Sequence, residues 1–350
     1  MDSDRIINKR VNVNNSNTTA EETESESILP PSLQYAFGFF GNVMAIFFLC
    51  RSAGEHKWKP FYRLVCGLAI TDFCGIALVY PAIMARYISG FTFEFPKQLC
   101  EYCSFWFCFS FMSSALIVSA MSFDRFLAVR FPIWYRNSQE TRANTMLLVI
   151  WAFTATVSSL NLIGIGSVKN FYPGSWCFID FANKGLLERV NTYIYSIIGF
   201  IILLITVILN VAVAHSVCRK PVSTTVDNKR KRNDIYIIIF LFSVVTLFSI
   251  CWVPLMVRML MNASARNPKN GPEELLAVRL TINNSIVDPW IYIILRRENL
   301  VKIASLVRRF NSRNHRQTNI FTVESYTGEI NSNTIEHSPS LNIATCTTQL

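Results

Sequence analysis

The chain has 350 residues, of which 51% are hydrophobic and 16% charged, with mean hydropathy +0.31. Soluble domains carry about 25% charged residues, so this balance excludes an ordinary soluble domain and points to a membrane protein. The net charge of +10 does not mark a nucleic-acid binder, because the basic residues fall in short loops between apolar runs and not on one soluble face.

Residues 1–30 hold no apolar core of the roughly 7–15 residues that a cleaved signal peptide needs, so the first span is expected to act as its own insertion signal. They read as a disordered extracellular segment, acidic at "EETESES", with glycosylation sequons at Asn14 and Asn17. Seven apolar segments follow, at 31–51, 61–87, 97–129, 143–164, 190–217, 233–261 and 273–295. Each is long enough to cross a hydrocarbon layer of about 30 Å. Residues 296–310, "RRENLVKIASLVRRF", set Leu300, Ile303, Val307 and Phe310 on or near one helical face among basic residues, which predicts a short amphipathic eighth helix on the inner leaflet. Residues 311–350 read as a disordered cytosolic tail rich in Ser and Thr. The fold class expected is all-α: a seven-transmembrane-helix bundle over 31–295 with that short cytosolic helix after it.

Loop charge sets the orientation. Arg51, Lys57, Lys59, Arg130, Arg142, Arg219 and "KRKR" at 229–232 fall in one set of connections, and the opposite loops mix signs. Positive loops stay in the cytosol, so the N-terminus is expected outside and the C-terminus inside. Of ten cysteines, only Cys100 and Cys177 fall on the outer, oxidising side. They can form one bridge tying the loop after the fourth span to the third; two free thiols are the alternative. No His/Cys spacing suits a metal site.

Ionisable side chains inside a bilayer are costly, so those retained carry information. They are Asp72, Asp124 with Arg125, Arg258, Arg279 and Asp288, with amides at Asn42, Asn210 and Asn284. Prolines interrupt spans at Pro81, Pro254 and Pro289, each removing a backbone donor and permitting a bend. Arg279 stands nine residues before Asp288, about 13 Å along a helix. Either it snorkels to the headgroups or something negative comes to meet it.

The fragments "GN" at 41–42, "LAITD" at 68–72, "DRF" at 124–126, "CWVP" at 251–254 and "DPWIY" at 288–292 stand in order, each in its span. Together they resemble the rhodopsin-like G-protein-coupled receptors over about residues 30 to 310. Within that class, "YPGSWCFIDF" at 172–181 and "AVRLTINNSIVDPWIYIILRR" at 277–297 resemble the second outer loop and seventh helix of the prostanoid receptors. "CGLAITD", "QLCEY" and "PLMVRML" lean toward the prostaglandin E receptor subtype that couples to the stimulatory G protein and raises cyclic AMP. This chain departs from the pattern at Ser175 (threonine in the family), at Asp124 and Phe126 (glutamate and tyrosine), at Ile282 (serine), and in its short tail.

The resemblance implies roles. Arg279 would meet the carboxylate of prostaglandin E2 or a related prostanoid with a two-pronged, charge-assisted contact, helped by hydroxyls of Tyr87 and Ser175. Trp176 would cap the pocket or serve as a buried structural aromatic. Arg258 is the rival cation, expected in an ion pair or snorkelling at the outer rim. Asp124, Arg125, Ile133, Trp252, Pro254, Asp288 and Tyr292 would form the switch to a heterotrimeric G protein. Asp72, Ser114, Asn284, Ser285 and Asp288 would form a sodium pocket, or a hydrogen-bonded network with water and no ion. Arrestin and receptor kinases would engage the tail, and membrane lipids the bundle. The expected location is the plasma membrane, with no enzyme activity, no organic cofactor and no nucleic-acid partner.

A competing class is a seven-helix proton transporter using Asp72, Asp124 and Asp288. A retinal-based pump needs a lysine in the last span, and 273–295 has none; inverted repeats are not apparent either. A hydrolase would need a nucleophile–base pair, but His215 lies near the inner end of its span and the other histidines lie in a loop or the tail.

Overall fold

The computed structural model describes residues 26–51, 60–137, 139–182, 185–219, 225–264 and 270–295. The helices are α1 (Leu29–Arg51), α2 (Pro60–Ile88), α3 (Lys97–Arg130), the short α4 (Pro132–Asn137), α5 (Gln139–Ser158), α6 (Leu186–Cys218), α7 (Thr225–Ala263) and α8 (Gly271–Leu295). Two strands, β1 (Val168–Phe171) and β2 (Trp176–Ile179), precede α6. Helices α2 and α4 open on proline, where the missing backbone donor would have had no partner in any case.

The seven long helices close a ring. Helix α1 packs on α2 and α8, α6 packs on α7, and α7 on α8; α3 runs through the middle against α2, α5, α6 and α7. The radial polarity is that of a protein in lipid. Phe40, Phe47, Leu204, Ile208 and Val211 face outward, while Asn42, Asp72, Ser104, Ser114, Asp124 and Ser196 are buried. With no water in a bilayer core, apolar side chains belong outside and polar ones inside. Among the described residues, five helices are long and apolar enough to cross a membrane: α1, α2, α3, α6 and the Ile238–Ala263 part of α7. Helix α8 carries Glu273, Glu274, Arg279 and Asp288, whose polarity lowers its hydropathy although it completes the ring.

Two helix boundaries differ most from those expected. Helix α5 ends at Ser158, before the expected 164. The apolar residues Leu160, Leu162 and Ile163 continue the hydropathy, but the chain has already turned, with Gly164 and Gly166 at positive φ. Helix α7 begins at Thr225 and not 233, so "KRKR", expected in a connection, lies within a helix. Lysine and arginine are good helix formers, and their charge marks the edge of the apolar slab instead of the end of the helix.

The β-hairpin was not expected from the all-α reading. Its strands are antiparallel, pairing Asn170 with Cys177 and Phe171 with Trp176. Gly174 turns the chain between them at φ 89°, a conformation glycine adopts without a Cβ penalty. Cys177 is bonded to Cys100 at the start of α3, with Cα atoms 5.2 Å apart, so the hairpin is tied over one end of the bundle. The expected helix at 296–310, the tail, and the sequons at Asn14 and Asn17 lie outside the described residues.

Candidate functional site

At the hairpin end, three elements bring their polar groups to one point. Arg279 projects from α8 and donates from Nη2 to the Tyr87 hydroxyl of α2 at 3.2 Å. The Ser175 hydroxyl lies 3.5 Å from the same Tyr87 oxygen, and both Ser175 and Tyr87 are buried. Arg279 is also paired with Glu26, Nη2 to Oε2, at 3.2 Å. The guanidinium therefore already faces a carboxylate, one supplied by the chain itself. Helix α1 fixes the backbone behind it. Gln34 donates to the Arg279 carbonyl and to Asn283, and accepts from Tyr80. Glu26 and Gln34 were missed in the sequence, because Glu26 lies within an acidic run that reads as solvated.

Trp176 stacks on Phe171 with centroids 4.7 Å apart, and its indole N–H donates to the Tyr172 carbonyl, so it stiffens the hairpin that carries Ser175. Arg258 forms an ion pair with Glu273 across the α7–α8 junction.

Deeper in the bundle, Ser114 donates to Asp72 at 2.7 Å, Asn284 donates to Asp288 at 3.0 Å, and Asn42 donates to the Ser285 carbonyl. Asp72 Oδ2, Asn284 Oδ1 and Asp288 Oδ1 are buried and lack a hydrogen-bond partner among the described residues. Asp72, Asp288 and Tyr292 border one narrow cavity. Above it, Trp252 is fully buried against Phe248, 5.0 Å away. The Trp252 ring fills the space beside Gly199 of α6, where a Cβ would collide with it. Two residues beyond Trp252, Pro254 interrupts α7. The Thr281 hydroxyl of α8 donates to the Cys251 carbonyl, which ties the two helices beside that interruption.

At the opposite end, Asp124 is wholly buried and holds two arginines. Arg125 Nε lies 3.1 Å from Asp124 Oδ2, and Arg142 Nη2 of α5 lies 3.3 Å from Oδ1. Tyr135 of α4 donates its hydroxyl to Asp124 and accepts from Arg125. Burial pushes the Tyr135 phenol up to about 12, so it keeps the proton it donates. Arg125 also lies over the Phe61 ring at 4.8 Å. Sequence reading identified the Asp124–Arg125 neighbours but neither Tyr135 nor Arg142 as partners. Ile133 on α4 is 77% exposed, projecting away from the bundle.

A ring of helices with a tied hairpin at one end, a polar middle and a buried acid–arginine cluster at the other defines a seven-helix membrane receptor. The description "7 transmembrane receptor (rhodopsin family)" matches residues 41–292. Squid rhodopsin superposes with a TM-score of 0.67 at 18% identity, over 81% of this chain and 84% of its own. The human prostaglandin E2 receptor EP4 subtype is 30% identical, over 85% of this chain and 70% of its own length. The human EP3 subtype is 29% identical over 89% and 87%. The chain belongs to the prostanoid receptors of the rhodopsin family, multi-pass membrane proteins that transduce signals and are not enzymes.

Proposed function

We propose that this receptor responds to an E-type prostaglandin and activates the stimulatory G protein. The observation that carries the reading is the Arg279 guanidinium on α8, facing Glu26 with the Tyr87 hydroxyl beside it. A prostanoid is one carboxylate on a long apolar body. Its carboxylate would take the place of Glu26, with Ser175 and Tyr87 adding hydroxyls. Arg258, ion-paired with Glu273, is the alternative carboxylate partner. The hairpin end would face outside, since Arg51, Arg130, Arg142 and Arg219 all lie toward the other.

Ligand binding would favour an arrangement in which α7 swings about Pro254 beside Trp252. That movement would free Arg125 from Asp124 toward a heterotrimeric G protein, with Ile133 inserting beside it, and Asp288 and Tyr292 would follow the change in α8. A resident sodium ion would be held by Asp72, Ser114, Asn284, Ser285 and Asp288. The unpartnered buried oxygens at Asp72, Asn284 and Asp288 suit a hard cation, which would supply charge neutralisation between two buried acids. Arrestin and receptor kinases would act on residues 311–350.

If Glu26 competes with the ligand, Glu26→Gln should tighten binding of an acidic prostanoid. Partly exposed ion pairs contribute about 0.5–1 kcal/mol, so competition binding should show a gain of about 2- to 5-fold. Weaker binding of the acid by the variant would reverse this assignment and make Glu26 part of the ligand's own contact set.

The function is tested by expressing the chain in cells and challenging it with each natural prostanoid while reading cyclic AMP and calcium. The expected result is a rise in cyclic AMP with greatest potency for an E-type prostaglandin. A fall in cyclic AMP, or calcium alone, would overturn the coupling and leave the ligand class standing. Silence toward every prostanoid at verified surface expression would overturn both.

A further inference from the structure

A groove of about 520 Å³ runs between α3, α5 and α6 on the outside of the bundle, far along the chain from the Arg279 cluster and at the Asp124 end. Leu116, Phe123, Val149, Ile205 and Leu209 line it, and Arg142 closes one end. Its volume is in the range of small-ligand sites, about 300–1,000 Å³, and its walls are almost wholly apolar.

Arg142 is the feature that apolar packing does not explain. Its side chain is 11% exposed, and one nitrogen, Nη2, is engaged by Asp124. The guanidinium carbon lies 4.3 Å from the centre of the Tyr135 ring and 5.6 Å from that of Trp134, so aromatic surface covers it on those sides. Its Nε and Nη1 are buried and have no acceptor among the described residues. Arginine carries five fixed N–H donors, and buried donors left without an acceptor are costly. Arg142 borders a groove that opens between membrane-spanning helices, where Phe123, Val149 and Ile205 are exposed. Whatever reaches it comes from the hydrocarbon layer.

We infer that this groove is a binding site for an anionic phospholipid of the surrounding leaflet, one acyl chain lying between α3, α5 and α6 and the phosphate accepting hydrogen bonds from Nε and Nη1 of Arg142. The chain supplies the apolar body that the groove fits, and the phosphate supplies the acceptors that Arg142 lacks. The bound headgroup and Asp124 then share a single guanidinium, so lipid composition is connected to the Asp124–Arg125 pair through one side chain. The site is independent of which prostanoid binds at the hairpin end.

The test uses the full-length receptor in nanodiscs of phosphatidylcholine containing a minority of phosphatidylglycerol, with lipids retained after detergent extraction counted by native mass spectrometry. The wild type is expected to retain phosphatidylglycerol over phosphatidylcholine by about tenfold: both carry the phosphate, but only phosphatidylglycerol brings the net negative charge that offsets the second guanidinium sharing Asp124. Arg142→Gln should abolish the preference. Ala120 of α3 also lines the groove, and Ala120→Phe, which fills it and leaves the hydrogen bonds of Arg142 untouched, should abolish the preference too. If the glutamine variant does not fold, the phenylalanine variant decides alone. Unchanged retention in Ala120→Phe would overturn the site, whatever Arg142→Gln does, since contact with a headgroup alone needs no groove. Retention unchanged in Arg142→Gln would overturn the phosphate contact. Displacement of the lipid by soluble glycerol 3-phosphate would mean a free phosphate site, and preferential displacement by a prostanoid would mean a second ligand site; either result also overturns the inference.

Discussion

Arg279→Ala is expected to weaken an acidic prostanoid by about 30-fold to several thousand-fold. The range follows from the 2–5 kcal/mol that truncating one partner of a desolvated, hydrogen-bonded charge pair costs, at about 1.4 kcal/mol per decade. Arg279 is only 21% exposed at its side chain, so solvent replaces little of the lost contact. Arg279→Lys should recover part of the affinity, because an ammonium carries charge but cannot make the two-pronged contact. A methyl ester of the same ligand should bind the wild type more weakly and lose little more on the alanine variant. This double-mutant comparison separates ligand contact from helix integrity, because an arginine that only holds its helix shows no coupling to the ligand's charge. The measurement is competition binding on membranes with matched receptor density. Equal losses for acid and ester would remove Arg279 as the carboxylate partner and direct the search to Arg258.

Much of this architecture was legible along the chain because its signals are local or nearly so. An apolar run of twenty residues reports a span by itself, and a lone Asp72, Asp124 or Asp288 within one reports a polar interior. Hydropathy does not report where the backbone stops being helical. That is why the turn after Ser158 and the basic first turns of α7 were misplaced, and why the four-residue strands flanking Gly174 passed unseen. Partners distant along the chain were the least legible. Glu26 stands 253 residues from Arg279, and no pattern in either segment announces the pair. Arg142 was read as one more loop charge that sets orientation, whereas it is folded under Asp124. Arg279, Tyr87 and Ser175 were nominated through likeness to a family, and their proximity is a property of the closed ring and the tied hairpin.

Asp124→Asn is expected to raise signalling in the absence of ligand. The carboxylate is fully buried and engages Arg125, Arg142 and Tyr135 at once. Asparagine keeps the shape and one acceptor oxygen but removes the charge, leaving two guanidiniums without a counter-ion between them. Breaking a buried ion pair from one side costs about 3–5 kcal/mol. Only the part of that cost confined to the arrangement with Arg125 held can shift the balance toward the arrangement with Arg125 released. If about 2 kcal/mol is so confined, the ratio of the two moves about 30-fold. Tyr135→Phe removes two hydrogen bonds to charged partners; if about 1 kcal/mol of their contribution is confined to the held arrangement, the ratio should move about 5-fold in the same direction. Arg125→Gln should not raise basal output, because it removes the group that release is proposed to deliver to the G protein. The readout is ligand-free cyclic AMP at matched surface expression, with thermal stability of the purified receptor beside it. Asp124→Asn with lowered stability and wild-type basal output would make the cluster a structural tie and return the switch to the Trp252–Pro254 region of α7.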